Sequence, residues 1–234
     1  MIEFRADGIV LDIEGTTSSI AYVYEILFAF ARAHLADFLA AHGDAADTAH
    51  ACRLIAEETG QNADDRAAIA AEALKLMDRD VKSTGLKALQ GLVWRGGYES
   101  GTLRSHVYAD VPGALRHWRA LGLRVWIYSS GSIAAQQLFF RHTESGDLLP
   151  WIEGHFDTTV GPKRDAASYA CIADRINLPP SRILFCSDIV EELDAAHKTG
   201  MQTVLLCRPG NAAARPGHGH AAVERFDQLH ITPY

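Results

Sequence analysis

Four short apolar runs stand out along the chain, and none shows the alternation of a half-exposed strand. They are Ile9-Val10-Leu11, Arg124-Val125-Trp126-Ile127-Tyr128, Ile183-Leu184-Phe185-Cys186 and Thr203-Val204-Leu205-Leu206-Cys207. Continuous runs of this kind are expected for parallel strands covered on both faces. Helical spacing separates the later ones. Leu115, Trp118 and Leu121 repeat along one face, with Gly122 as a stop. Tyr169, Ala170, Ala173 and Ile176 mark a second helix, ended by Pro179-Pro180. A third covers about 191–198, with Leu193 and Ala196 inward and Gly200 beyond. Strand, helix, strand at these lengths predicts βαβ units and an α/β fold with a doubly wound parallel sheet.

The stretch 20–105 has a different pattern, rich in Ala, Leu and charge and without a clear strand. Ile26, Leu27, Phe30, Ala31, His34, Leu35 and Phe38 form one helical stripe. Cys52, Ile55 and Ala56 suggest a second helix, and Ile69, Ala73, Leu74 and Met77 a third. The expected organisation is a core of 1–19 and 106–234 with a helical domain of 20–105 inserted after the first strand. The Gly-, Pro- and Ala-rich segment from Pro209 to His220 is expected to be loop, and His218-Gly219-His220 is read as part of it rather than as a metal site.

Composition narrows the possibilities. The chain has 234 residues, 48% of them hydrophobic and 22% charged, enough for a sizeable core. The net charge of −7 argues against nucleic acid or an anionic membrane as partner. No apolar stretch approaches the roughly 18 residues of a membrane span, and the acids of Met1–Asp7 do not fit a secretory leader. Cys52, Cys171, Cys186 and Cys207 form no C-x-x-C pair. Reduced thiols and a cytoplasmic location are expected.

Polar residues gather where the predicted strands end. Asp12 and Glu14 follow the first run, Ser129 and Ser130 the second, and Asp188 the third. Lys163 precedes the Tyr169 helix. In open α/β sheets the carboxyl ends of strands beside the switch point bind the ligand. Carboxylates that hold a hard cation, a lysine that neutralises phosphate and hydroxyls that bind phosphoryl oxygens together suit a phosphate-plus-magnesium site.

These residues also carry a resemblance. Asp12-Ile13-Glu14-Gly15-Thr16-Thr17 resembles the D-x-D-G-T motif of the haloacid dehalogenase superfamily, with Glu in the second acidic place. Ser130, Lys163 and Asp188 follow in the order of its other motifs. The glutamate variant is similar to the enolase-phosphatase family of methionine salvage. So are Leu89-Gln90-Gly91, Tyr128–Ser132, Gly154–Thr158 and Arg208-Pro209-Gly210-Asn211. Pro162 and Gly85 depart from the family pattern, and the choice between Glu191 and Glu192 as a support for the metal stays open.

The resemblance implies a haloacid dehalogenase-like, Rossmann-like core with a helical cap. It implies one Mg2+ per subunit, held by Asp12, Glu14 (through its backbone carbonyl) and Asp188. Asp12 would be the nucleophile, Glu14 the acid–base, Lys163 the phosphate-binding cation, and Ser129 and Ser130 the substrate-binding hydroxyls. The implied reaction enolises a diketo-methylthiopentyl phosphate and removes its phosphate to give the acireductone. A monomer is expected. Gln90, Trp94 and Tyr98 stand where a cap would face substrate, although ordinary packing explains them equally well. The rivals are another small-molecule phosphatase of the superfamily, a metal-independent dehalogenase, and a non-catalytic protein on the same fold.

Overall fold

The computed structural model describes residues 1–81 and 83–234. The chain divides into two compact units, Met1–Tyr22 with Arg104–Tyr234, and Val23–Leu103. It opens with β1 (Ile2–Arg5) and β2 (Gly8–Leu11). A π-helical stretch, Tyr22–Phe28, leads into α1 (Ala29–His42), α2 (Ala46–Thr59), α3 (Arg66–Asp78) and α4 (Thr84–Glu99). Alternation follows with α5 (Val111–Ala120), β3 (Arg124–Tyr128), α6 (Ile133–Arg141) and β4 (Gly154–Phe156). It continues with α7 (Ala166–Ile176), β5 (Ile183–Ser187), α8 (Val190–Lys198) and β6 (Gln202–Leu206). The last strands are β7 (Ala221–Val223) and β8 (Leu229–Thr232).

Six strands form one parallel sheet in the order β4-β3-β2-β5-β6-β7. The chain winds from β2 to β3 and β4, then returns to β5 on the other side of β2. The switch point therefore lies between β2 and β5. Every residue of β2 and of β5 is buried, which is why both read as unbroken apolar runs. Val10, Trp126, Tyr128 and Phe185 pack with Tyr169 and Ile172 of α7 and Leu193 and Ala196 of α8.

The insertion follows Gly8–Leu11, the apolar run read as the first strand, which a further short strand, Ile2–Arg5, precedes in the chain. Ile2–Arg5 pairs in parallel with Leu229–Thr232 in a separate two-stranded sheet. Leu121 lies just past the end of α5 and is exposed rather than inward.

The helical unit has its own core, in which Leu35 and Leu39 meet Cys52, Ile55, Ile69, Ala73, Leu86 and Leu89. Two of its helices begin on side-chain caps: Asp65 accepts from Ala68 N–H at 3.0 Å and Ser83 from Leu86 N–H at 3.1 Å. Its buried stripe is Leu27, Ala31, Leu35 and Leu39, and Ile26 is 50% exposed. The wider π turns ahead of Ala29 shift the phase that an α-helical reading assigns to Ile26. Gly85 permits close packing of α4 on α2, since a Cβ there would lie 2.8 Å from the Ile55 backbone N. Among the described residues no helix is long and apolar enough to cross a membrane.

Candidate active site

Asp12 continues β2 by one residue. Its N–H donates to Cys186 O at 3.0 Å, so the ladder with β5 holds its backbone, and the residue is only 5% exposed. The chain then coils tightly. The N–H groups of Thr16, Thr17 and Ser18 all donate to Ile13 O, and Thr17 Oγ1 donates to Asp12 O at 3.1 Å. Gly15 makes this turn possible at φ +65°, and Asp188 Oδ2 occupies the space where a Cβ would begin. Glu14 is half-buried and its backbone bridges to Ser18.

Lys163 reaches this loop. Its Nζ lies 2.7 Å from Asp12 Oδ1 and 2.7 Å from Glu192 Oε2, over the Tyr128 ring. Burial opposes the lysine's charge, but the Asp12 and Glu192 carboxylates outweigh it and hold the ammonium well above its ordinary pKa. Glu192 also accepts from Ser187 Oγ at 3.0 Å, and Ser187 Oγ accepts from Ile189 N–H at 3.1 Å. Burial and the charge of Asp12 push Glu192 upward, against the pull of Lys163 and Ser187. Asp188 is pushed up to about 7, first by burial and then by the charge of Asp12. This pocket of carboxylates has more negative charge than its single lysine neutralises.

Of the two acids in α8, Glu192 is buried against Lys163 and Glu191 is exposed. The signal was present, since Glu192 stands four residues before Ala196 on the inward face. Ser129 and Ser130 follow β3, at the same edge of the sheet as Asp12. Ser129 is buried and accepts from Gly131 N–H at 3.3 Å, whereas Ser130 is exposed.

Two residues beside this loop are given no role by the sequence: Asp110, and Arg208, which enters only as part of the segment Arg208–Asn211. Arg208 Nε donates to Thr16 O at 2.9 Å and Nη1 lies 2.8 Å from Asp110 Oδ1, with both side chains 2% exposed. Its guanidinium also lies over the rings of Tyr108 and Phe226. Asp110 and Arg208 are far apart in sequence, so no spacing could announce the pair. His220 is likewise a packed residue, bonded to Thr203 and Asp194, and no metal-holding group of three His, Cys, Asp or Glu side chains occurs among the described residues.

A carboxylate at a switch point, gripped by a buried lysine beside a second acidic strand end, is the arrangement of a haloacid dehalogenase-like hydrolase, and residues 6–200 match that family's model. A protein of Sorangium cellulosum named Enolase-phosphatase E1 is 49% identical over 98% of this chain and 99% of its own. One of Pseudomonas aeruginosa with the same name is 48% identical over 95% and 97%. The crystal structure of the UTR4 protein of Saccharomyces cerevisiae superposes with a TM-score of 0.82 at 35% identity, covering 96% of this chain and 100% of that one. The chain belongs to the enolase-phosphatase E1 family.

Proposed function

We propose that this enzyme is the enolase-phosphatase of methionine salvage, converting a diketo-methylthiopentyl phosphate to the acireductone and phosphate. The observation that carries the reading is the ion-paired set Asp12–Lys163–Glu192 at the switch point, in a chain this similar to named enolase-phosphatases.

The site suits a small hard cation, proposed as one Mg2+. Asp12 and Asp188 supply two carboxylates, Gly15 lets Asp188 Oδ2 approach where a Cβ would begin, and Asp188, raised first by burial and then by the charge of Asp12, calls for a counter-charge. Asp12, the Glu14 carbonyl and Asp188 would hold it. Two side chains and a carbonyl fall below a cage of three acidic or imidazole groups, as expected for an ion that keeps part of its water. When bound, the cation would screen the repulsion between Asp12 and phosphate and polarise the diketone.

The chain's own residues do the rest. Lys163 meets the phosphoryl oxygens, and Glu192 with Ser187 fixes where its ammonium points. Ser129 and Ser130 orient the substrate. In phosphoryl transfer an Asp12 oxygen bonds to phosphorus, the bond from phosphorus to the enediol oxygen breaks, and Glu14 gives that oxygen its proton. Glu14 then takes a proton from the water that hydrolyses the aspartyl phosphate. The helical unit, read as 20–105, is proposed to select the organic end of the substrate. The four free cysteines fit a reducing compartment, hence the cytoplasm, and the enzyme is proposed to act as a monomer.

The test supplies the phosphorylated diketone with Mg2+ and follows enediol absorbance and phosphate together. Both should appear, and both should stop on chelation. Phosphate release from generic esters without any enediol would reduce the reading to a plain phosphatase. Undiminished turnover after exhaustive chelation would remove the metal from it.

A further inference from the structure

The segment Arg208-Pro209-Gly210-Asn211 includes one side chain that the reaction above leaves unused. Asn211 Nδ2 donates to Gly15 O at 2.8 Å and to Leu206 O at 3.1 Å. Both partners are carbonyls, which only accept, so the amide cannot be turned over and the direction of Oδ1 is fixed. That oxygen is buried and has no hydrogen-bond partner within the protein. It lies 3.0 Å from the point where a Gly15 Cβ would begin, and Asp188 Oδ2 crowds the same point. Two acceptor oxygens thus crowd one point against the backbone of the nucleophile loop. A buried acceptor without a donor is costly, so a donor belongs there. A small divalent cation bound by few protein oxygens keeps several waters, and their hydrogens point outward.

We propose that Asn211 is a positioning residue for the metal, its Oδ1 accepting a hydrogen bond from a water of the cation's hydration shell beside Asp188. The inference rests on the cation site proposed above. Its role differs from that of Arg208, which holds the same loop through Thr16 O but directs no acceptor at Asp188.

The test titrates the purified full chain with Mn2+ alone by calorimetry and counts the waters on the bound ion by proton relaxation. Asn211→Leu removes the acceptor at similar volume. It should bind Mn2+ about tenfold more weakly or worse, with altered water exchange. Asn211→Asp keeps an oxygen at the Oδ1 position but loses both donated bonds. It should melt lower in EDTA yet bind Mn2+ at least as tightly as the wild type. A merely structural role would not give that opposite ordering. Wild-type affinity and hydration in Asn211→Leu would overturn the proposal, and so would equal weakening in both variants. If Asn211→Leu does not fold, Asn211→Ala is titrated in its place with the same expected and overturning results. A wild type that binds no Mn2+ would instead overturn the cation site itself, a distinguishable outcome.

Discussion

Replacing Asp110 by asparagine is expected to lower the melting temperature by about 6 to 20 °C. Asp110 accepts from Arg208 Nη1 at 2.8 and 3.0 Å and from Phe226 N–H at 2.7 Å, in a place where both side chains are 2% exposed. Asparagine keeps the shape and one oxygen but leaves the guanidinium buried without its counter-charge. Breaking one side of such a pair costs about 3–5 kcal/mol, because the remaining charge is still desolvated. In a chain of this size each kcal/mol moves the melting point by roughly 2–4 °C. The informative control is the double variant Asp110→Leu with Arg208→Met. It removes both charges and leaves Thr16 O, Glu224 O and Phe226 N–H without these partners, a loss of about 1 kcal/mol each. It should therefore stand about 3 kcal/mol below the wild type and above the worse single variant. Urea unfolding of the wild type, Asp110→Leu, Arg208→Met and the double variant gives the coupling energy directly. A loss below about 1 kcal/mol in Asp110→Asn would refute the reasoning. A double variant no more stable than the worse single one would show that packing, not charge, holds this loop.

Other outcomes follow from the same geometry. Lys163→Met should lower phosphate release by orders of magnitude with little change in fold, read from kcat and circular dichroism; near-normal turnover would place the lysine outside the reaction. Asp12→Asn should stop phosphate release while the phosphorylated enediol still accumulates at raised Mg2+; if both reactions return together, Asp12 is only a ligand. Glu192→Gln should keep the Ser187 contact, release Lys163 from one partner and lower kcat more than it raises KM; a change in KM alone would count against a positioning role. His155 is held near pKa 4 by burial, below its ordinary 6.5. The unfolded chain takes up that proton first as pH falls, so its contribution is full above about 6.5 and is lost toward 4. The loss is at most about 3 kcal/mol and about half that after allowing for partial exposure. Urea midpoints of the wild type and His155→Gln at pH 7 and 4.5 check this, and equal pH slopes would exclude it.

The sequence determined what local chemistry determines. β2, β3, β5 and β6 were legible because strands buried on both faces must be apolar at every position, and the acids and hydroxyls beyond them mark the edge where a parallel sheet binds ligand. The helices α7 and α8 were legible because their inward residues recur every three or four positions. The short strands were not. β1 alternates half-buried and exposed residues and β8 buried and exposed ones over four residues each, and β4 and β7 have three, too few for a period to emerge from the flanking loop. Ile26 was misplaced because a helix's phase depends on its hydrogen-bonding pattern, and a π turn in front of α1 changes it. Only the tertiary structure decided that Glu192 and not Glu191 meets Lys163, that Arg208 finds Asp110, and that Asn211 bonds the backbone of Gly15. Each of these is a contact between segments brought together by the winding of the sheet. Its energy comes from burial and from the removal of water, neither of which a residue has until the chain has closed around it.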